Sequence, residues 1–228
     1  MDTYQPRLKI CGVTNVEDAR LIGDSGADYC GVLVDVGFSE RSLSLERARE
    51  VASAAGTQVV VLLCDPTLEA ALEVVSQIKP YALQLLCREP PEFLRTLKSR
   101  VSCQVWKTIH LPVAAGQASA MEYVEAGADI LLIDSVDTSE GFARMGGTGK
   151  VADWSAVAGL VEKVSVPVFL AGGIGPHNVE NALIQMRPYG VDLCSGVEAF
   201  KGKKDPEKVR SLIKNFKAAQ VKIEGGGL

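Results

Sequence analysis

Two residues far apart in the chain, Cys11 and Asp134, are of the types that move a proton between carbon and oxygen. A thiol takes a proton from carbon only as thiolate, so nearby N–H groups or positive charge must lower its pKa. A carboxyl group gives a proton to a leaving oxygen only when an apolar surround raises its pKa. Leu131, Leu132 and Ile133 supply part of such a surround for Asp134. By residue type alone, Cys11 suits a buried structural thiol as well as a base. Asp134 suits helix capping or ligand contact as well as an acid.

A second signal concerns an anion. Val168 to Ala171 is a short apolar run that leads straight into Gly172 and Gly173, followed by Pro176, His177 and Asn178, which open a helical pattern. Asn178 suits an N-cap. A strand, a glycine pair and a helix start together present free N–H groups and a positive dipole end. An ordinary strand-to-helix turn uses the same residues. Downstream, Val191-Asp-Leu-Cys-Ser-Gly-Val-Glu198 repeats the arrangement, with Ser195 and Gly196 at the strand's end. Gly146-Gly-Thr-Gly149 is a further N–H-rich run, weak taken alone.

The elements that must position these residues alternate strictly. Strands are predicted over Leu8–Ile10, Tyr29–Val34, Val59–Leu63, Ala82–Leu86, Gln104–Ile109, Ile130–Ile133, Val168–Ala171 and Val191–Leu193. Helices are predicted over Val16–Ser25, Leu45–Ala55, Leu68–Ile78, Pro91–Lys98, Ala118–Glu125, Trp154–Val164, Val179–Met186 and Pro206–Ala219. Leu45, Ala48, Val51, Ala52 and Ala55 recur near every 3.6 residues, as an amphipathic helix requires. Alternation of this kind makes a parallel sheet, and about eight units favour closure into a single (β/α)8 TIM barrel, with an open doubly wound sheet as the alternative. Gly26-Ala-Asp28, Gly127-Ala-Asp129 and Gly190-Val-Asp192 form a faint repeat at helix-to-strand turns, which supports closure. In such a barrel the strand C-termini form the active-site mouth, and the loops after strands seven and eight hold phosphate. Residues 1–220 are expected to form one domain, with Val221–Leu228 a frayed tail.

The chain of 228 residues is 47% hydrophobic and 23% charged, ordinary for a globular protein that buries one large core. Net charge is -4 without a concentrated basic run, which disfavours nucleic acid or an anionic membrane as partner. No apolar run approaches the ~20 residues of a membrane span, and the start lacks a signal-peptide layout, so a cytoplasmic location is expected. The six cysteines, Cys11, Cys30, Cys64, Cys87, Cys103 and Cys194, form no C-x-x-C pair and read as separate buried thiols rather than a disulfide framework or a metal site. His110 and His177, one after a strand and one before a helix, read as capping or solvent-exposed residues.

Lys9-Ile-Cys-Gly12, Leu132-Ile-Asp134, Gly146-Gly-Thr-Gly149, Asp153-Trp154, Leu170-Ala-Gly-Gly173, Asn178-Val179, Val191-Asp192, Ser195-Gly-Val-Glu198 and Lys204-Asp205 together resemble the phosphoribosylanthranilate isomerase family, in order and over nearly the whole chain. The resemblance implies a cofactor-free, metal-free β/α barrel of tryptophan biosynthesis. Its reaction is an Amadori rearrangement of N-(5'-phosphoribosyl)anthranilate, a small phosphorylated substrate; the alternatives are a related phosphosugar barrel acting on another phosphorylated aminosugar and a member that binds phosphorylated ligands without turnover. A monomer or homodimer is expected. The resemblance implies Cys11 as the base for the C2′ proton and Asp134 as the acid for the ring oxygen. It also implies Arg41 at the substrate carboxylate and Asp192 near the ligand. Phosphate would lie among Gly147, Thr148, Gly172, Gly173, Ser195 and Gly196. Two stretches depart from the pattern. Gln84-Leu-Leu-Cys87 stands where the family usually reads Gln-Leu-His-Gly, and Leu63-Cys-Asp65 replaces a more usual Val-Asn.

Overall fold

The structure is a computed structural model that describes residues 5–111, 118–135, 161 and 163–225. Its strands are short aliphatic runs buried on both faces, the composition of a parallel sheet that helices cover. In chain order they are β1 (Arg7–Ile10), β2 (Tyr29–Val34), β3 (Gln58–Leu63), β4 (Ala82–Leu85), β5 (Gln104–Leu111), β6 (Ile130–Ser135), β7 (Val168–Ala171) and β8 (Gly190–Leu193). Each pairs in parallel with the next, and β8 pairs back onto β1, with Lys9 opposite Asp192. The ring is closed, which removes the open-sheet alternative. A two-residue strand, Ser42–Leu43, adds to the end of β2.

The described helices are α1 (Val16–Ser25), α2 (Leu45–Ser53), α3 (Leu68–Ile78), α4 (Pro91–Lys98), α5 (Ala120–Glu125), α6 (Val179–Met186) and α7 (Pro206–Gly225). Asn15, Ser44, Thr67 and Ser119 start four of them, each side chain accepting from the backbone N–H three residues on. The Ser119 cap explains why α5 begins at Ala120 rather than at the predicted Ala118. The helix predicted over Trp154–Val164 lies almost wholly outside the described residues. Helix α7 continues past Ala219 to Gly225, so Val221–Gly225 are helical where composition suggested fraying. Among the described residues no helix is long and apolar enough to cross a membrane.

The apolar interior has two parts. Ile10, Val32, Val61, Leu83, Val105, Leu131, Leu170 and Val191 face outward onto the helices. Tyr29, Val60, Leu62, Trp106, Leu132 and Phe169 fill the barrel itself. Trp106 and Phe169 stack at 5.3 Å between ring centroids, and Tyr29 meets Trp106 edge-on at 5.2 Å. These rings come from the N-terminal ends of their strands. They close the barrel floor and leave its C-terminal mouth to polar residues.

One expectation fails at that mouth. Cys64 and Cys87 are not separate thiols; they are joined by a disulfide, with Cα atoms 5.0 Å apart. Their separation of 23 residues gives no hint of contact. The parallel pairing of β3 with β4, Leu63 opposite Leu85, brings the two strand ends together. The other four cysteines are free.

Candidate active site

Cys11 follows β1 directly, and Lys9 precedes it by two residues. The two-residue period of a strand therefore turns both side chains into the barrel. Gly31 of β2 makes room for the thiol, since a Cβ there would lie 2.8 Å from the Cys11 sulfur. Lys9 is fully buried, and its Nζ donates to Asp192 Oδ2 at 2.9 Å. Lys204, almost as completely enclosed, donates to the Cys11 carbonyl at 2.6 Å, to the Cys194 carbonyl at 3.2 Å and to Glu198 Oε1 at 3.2 Å. Burial pushes the Cys11 thiol up to about 12, and the positive charges of Lys9 and Lys204 oppose that rise. Burial alone would lower the Lys9 pKa, but the Asp192 carboxylate beside it outweighs burial and keeps the ammonium charged.

Asp134 lies inside β6, one residue beyond the predicted end of that strand, in register with His110 of β5. Burial raises its carboxyl above the ordinary carboxylate range. Asp192 adds to the rise, while His110 and Lys9 counter it. A carboxyl so placed keeps its proton at a pH where an exposed aspartate has lost it.

The glycine pair after β7 adopts positive φ, 89° at Gly172 and 65° at Gly173, a conformation that side chains strain. Asn178 occupies the N-cap position of α6, as predicted, but makes no side-chain cap. It braces the loop before the helix, accepting from the Gly175 N–H at 2.8 Å and donating to the Gly173 carbonyl at 2.9 Å. Ser195–Val197 forms one tight turn after β8. A Cβ on Gly196 would stand 2.4 Å from the Ile174 carbonyl oxygen, so glycine there lets the two loops touch through their backbones.

Cys11, Arg41, Leu86, His110, Asp134, Gly172, Gly173, Asp192 and Ser195 line one cavity at the C-terminal mouth. Gly196 supports it from behind, through the loop contact just described. Gly147 and Thr148 lie outside the described residues. Arg41 is positioned by Glu198, to which Nε donates at 2.8 Å and Nη2 at 2.6 Å. The Arg41 hydrogen bonds and Lys204 together hold Glu198 below its ordinary range against the opposing effect of burial. Four buried polar atoms around the cavity, Gln84 Oε1, His110 Nδ1, Asp134 Oδ1 and Asp192 Oδ1, have no hydrogen-bond partner among the described residues. Such atoms favour a polar ligand over an apolar one.

Sequence reasoning left four participants without a role. Lys9, Lys204 and Glu198 are buried charges; a lysine inside the apolar run Leu8–Ile10 was the signal for the first, and the sequence carries none for the other two. His110 was expected to cap or face solvent, yet it is part of β5 and faces the cavity. Its signal was the alternation Trp106, Thr108, His110, which sets all three on one face.

The glycine loops yield a testable expectation. Inorganic phosphate at 100 times its Kd should stabilise the fold by about 2.7 kcal/mol, and Gly173→Asp should abolish that stabilisation by placing a carboxylate at the same N–H groups. A melting shift unchanged in the variant would put the anion elsewhere.

The family model for N-(5'-phosphoribosyl)anthranilate isomerase matches residues 8–215. The N-(5'-phosphoribosyl)anthranilate isomerase of Methanocella arvoryzae is 40% identical over 217 residues, 94% of this chain and 99% of that protein. A crystal structure of monomers generated from the dimeric phosphoribosylanthranilate isomerase of Thermotoga maritima is 32% identical with a TM-score of 0.74, covering 94% of this chain and 100% of that one. A phosphoribosylanthranilate isomerase in complex with reduced 1-(o-carboxyphenylamino)-1-deoxyribulose 5-phosphate is 30% identical, with a TM-score of 0.73 over 94% of this chain and 100% of that one.

Proposed function

The chain belongs to the N-(5'-phosphoribosyl)anthranilate isomerase family, and we propose that it isomerises N-(5'-phosphoribosyl)anthranilate to 1-(o-carboxyphenylamino)-1-deoxyribulose 5-phosphate in tryptophan biosynthesis. The observation that carries this reading is the cavity itself. One mouth gathers a carboxyl raised by burial, a thiol between two buried lysines, and two N–H-rich loops.

In the proposed reaction, Asp134 gives its proton to the furanose oxygen as the C1′–O bond breaks. The lone pair of the anthranilate nitrogen forms the C1′=N bond, leaving a cationic imine. Cys11 thiolate then takes the C2′ proton, and the electrons of that C–H bond move toward the imine to give an enol-amine, which tautomerises to the ketone. A thiolate is costly in the free site. The imine cation forming beside C2′ adds to the positive charges of Lys9 and Lys204, and all three favour negative sulfur in the transition state. Gly147, Thr148, Gly172, Gly173, Ser195 and Gly196 would hold the phosphate. Arg41, set by Glu198, would meet the anthranilate carboxylate, and Asp192 would contact the sugar. We infer a single domain over residues 1–220, a cytoplasmic location and a monomer or homodimer. No nucleic-acid partner and no metal or cofactor enter this reading.

The test is a fluorescence assay that follows loss of phosphoribosylanthranilate; no turnover by purified protein would end the proposal. A pH profile adds detail. With Cys11 titrating above Asp134, the productive form carries thiolate and carboxylic acid together, the reverse of the ground state. Its fraction rises tenfold per pH unit up to the Asp134 pKa and is then level, because thiolate gained offsets acid lost. The acid limb of kcat/KM should therefore centre above the ordinary carboxylate value of about 3.9, with no alkaline fall before about pH 9. A bell centred near pH 5 would contradict this assignment of acid and base.

A further inference from the structure

The Cys64–Cys87 disulfide ties together two strand ends that other bonds already hold. The Leu86 N–H donates to the Leu63 carbonyl at 2.9 Å, which carries the β3–β4 ladder up to the mouth. Just beyond, one carboxylate oxygen of buried Glu89 accepts from the Asp65 N–H at 2.9 Å and from the Cys87 N–H at 3.2 Å. Asp65, at a φ of 43°, accepts in turn from the Arg88 N–H at 3.1 Å. Lys107 anchors the group, donating to the Cys87 carbonyl and to Glu89 Oε2, each at 2.6 Å. The two loops thus have their geometry without the covalent bond. Access to its two sulfurs is unequal. Cys87 is only 4% exposed, whereas Cys64 is half-buried and followed by the exposed Asp65. A thiolate arriving from solvent therefore meets Cys64 first. In the inferred cytoplasmic location, a disulfide is typically transient and redox-sensing rather than a permanent brace. Between Leu85 of β4 and Cys87 stands Leu86, whose side chain lines the cavity. Its carbonyl accepts from His110 Nε2 at 2.8 Å.

We propose that the Cys64–Cys87 pair is a reversible thiol-exchange site, attacked at Cys64 by a dithiol reductant, whose oxidised form stiffens the Leu86 wall of the cavity. One thiolate of the reductant forms a bond to the Cys64 sulfur. The Cys64–Cys87 bond breaks, and its electron pair leaves on the Cys87 sulfur, which takes a proton from water. The second thiolate of the reductant then attacks its own sulfur in the mixed disulfide. The reductant departs as a disulfide, and Cys64 leaves as a thiolate that is protonated in turn. Two electrons and two protons pass from the dithiol to the protein. Reduction keeps the hydrogen bonds around Glu89 and so keeps the fold, but it removes the covalent tie one residue from Leu86. The bearing of this on substrate rests on the isomerase reading; the exchange itself does not.

The first test counts thiols. Protein prepared without reductant, then unfolded and alkylated, should carry label on four of its six cysteines. Treating the folded protein with dithiothreitol beforehand should add Cys64 and Cys87 to the labelled set, with circular dichroism still that of the folded barrel. Cys64 in Cys87→Ser should react with a thiol-specific disulfide reagent about tenfold or more faster than Cys87 in Cys64→Ser, because reactivity follows access. Hydrogen exchange at the Leu86 amide should quicken roughly tenfold on reduction, while that of Leu62, deeper in β3, stays as it was. KM for phosphoribosylanthranilate should rise about 3–10-fold on reduction, with kcat changing less, as looser substrate contact requires. Cys64→Ser should match the reduced parent and ignore the dithiol. A disulfide that is absent at the outset, that opens only after denaturation, or whose opening unfolds the barrel would overturn the proposal. So would faster reaction at Cys87, or a Leu86 amide or KM indifferent to redox state. An inactive parent whose disulfide opens and whose Leu86 amide responds would sink the isomerase reading and leave the exchange site standing.

Discussion

Cys11→Ala and Asp134→Asn are each expected to lower kcat by ~10²–10⁴-fold, the usual cost of removing a general base or acid, with KM much less affected. The two groups lie on β1 and β6, separated around the ring, with the cavity between them. Neither truncation should unfold the protein. Alanine at position 11 removes only the sulfur that packs on Gly31, and asparagine matches aspartate in shape. The double variant should be little worse than the slower single one, since the two groups serve successive steps and the slower step sets kcat, so their effects do not add. Steady-state kinetics with the fluorescent substrate, together with circular dichroism of each variant, decide the matter. Near-parental kcat in either variant would remove that residue from its role.

Lys9→Met is expected to cost stability first and activity as a consequence. Lys9 and Asp192 form a buried pair, and removing one partner from such a pair typically costs about 3–5 kcal/mol because the other charge is left uncompensated. Burial pushes Asp192 up, and Lys9 is the largest influence opposing it. Without Lys9, the Asp192 pKa in the folded state stands further above its unfolded value. A folded acid of raised pKa binds protons more tightly than the unfolded chain does. The variant's deficit should therefore be smallest near pH 4 and widen as pH rises through the folded pKa. Adding Asp192→Asn should recover much of the loss. Urea titrations at pH 4.5 and 7.5 test this; a deficit independent of pH would mean that lost packing, not lost charge, is responsible. Surviving Lys9→Met protein should also turn over more slowly, because one of the two cations beside the thiolate is gone.

The barrel was legible because its information is local. Alternating apolar runs and 3.6-residue periods depend on neighbours in the chain, and helices α1, α3, α4 and α6 have the predicted bounds. The two strands whose bounds moved at the mouth show a nonlocal cause: β5 and β6 extend through His110 and Asp134 because each offers the other a ladder partner. Cys11, Asp134, Arg41, Asp192, Gly172, Gly173 and Ser195 could be placed near the mouth in advance, from strand ends and family motifs, and all seven line the cavity there. The sequence by itself thus determined the parallel strand–helix alternation and which residues reach the barrel mouth. Tertiary structure alone decided who meets whom there. The Cys64–Cys87 disulfide, the Lys9–Asp192 pair, the Arg41–Glu198 clasp and the facing of His110 with Asp134 join residues 23, 183, 157 and 24 positions apart. Contacts of that kind follow from ring closure and strand register, which no window of sequence contains.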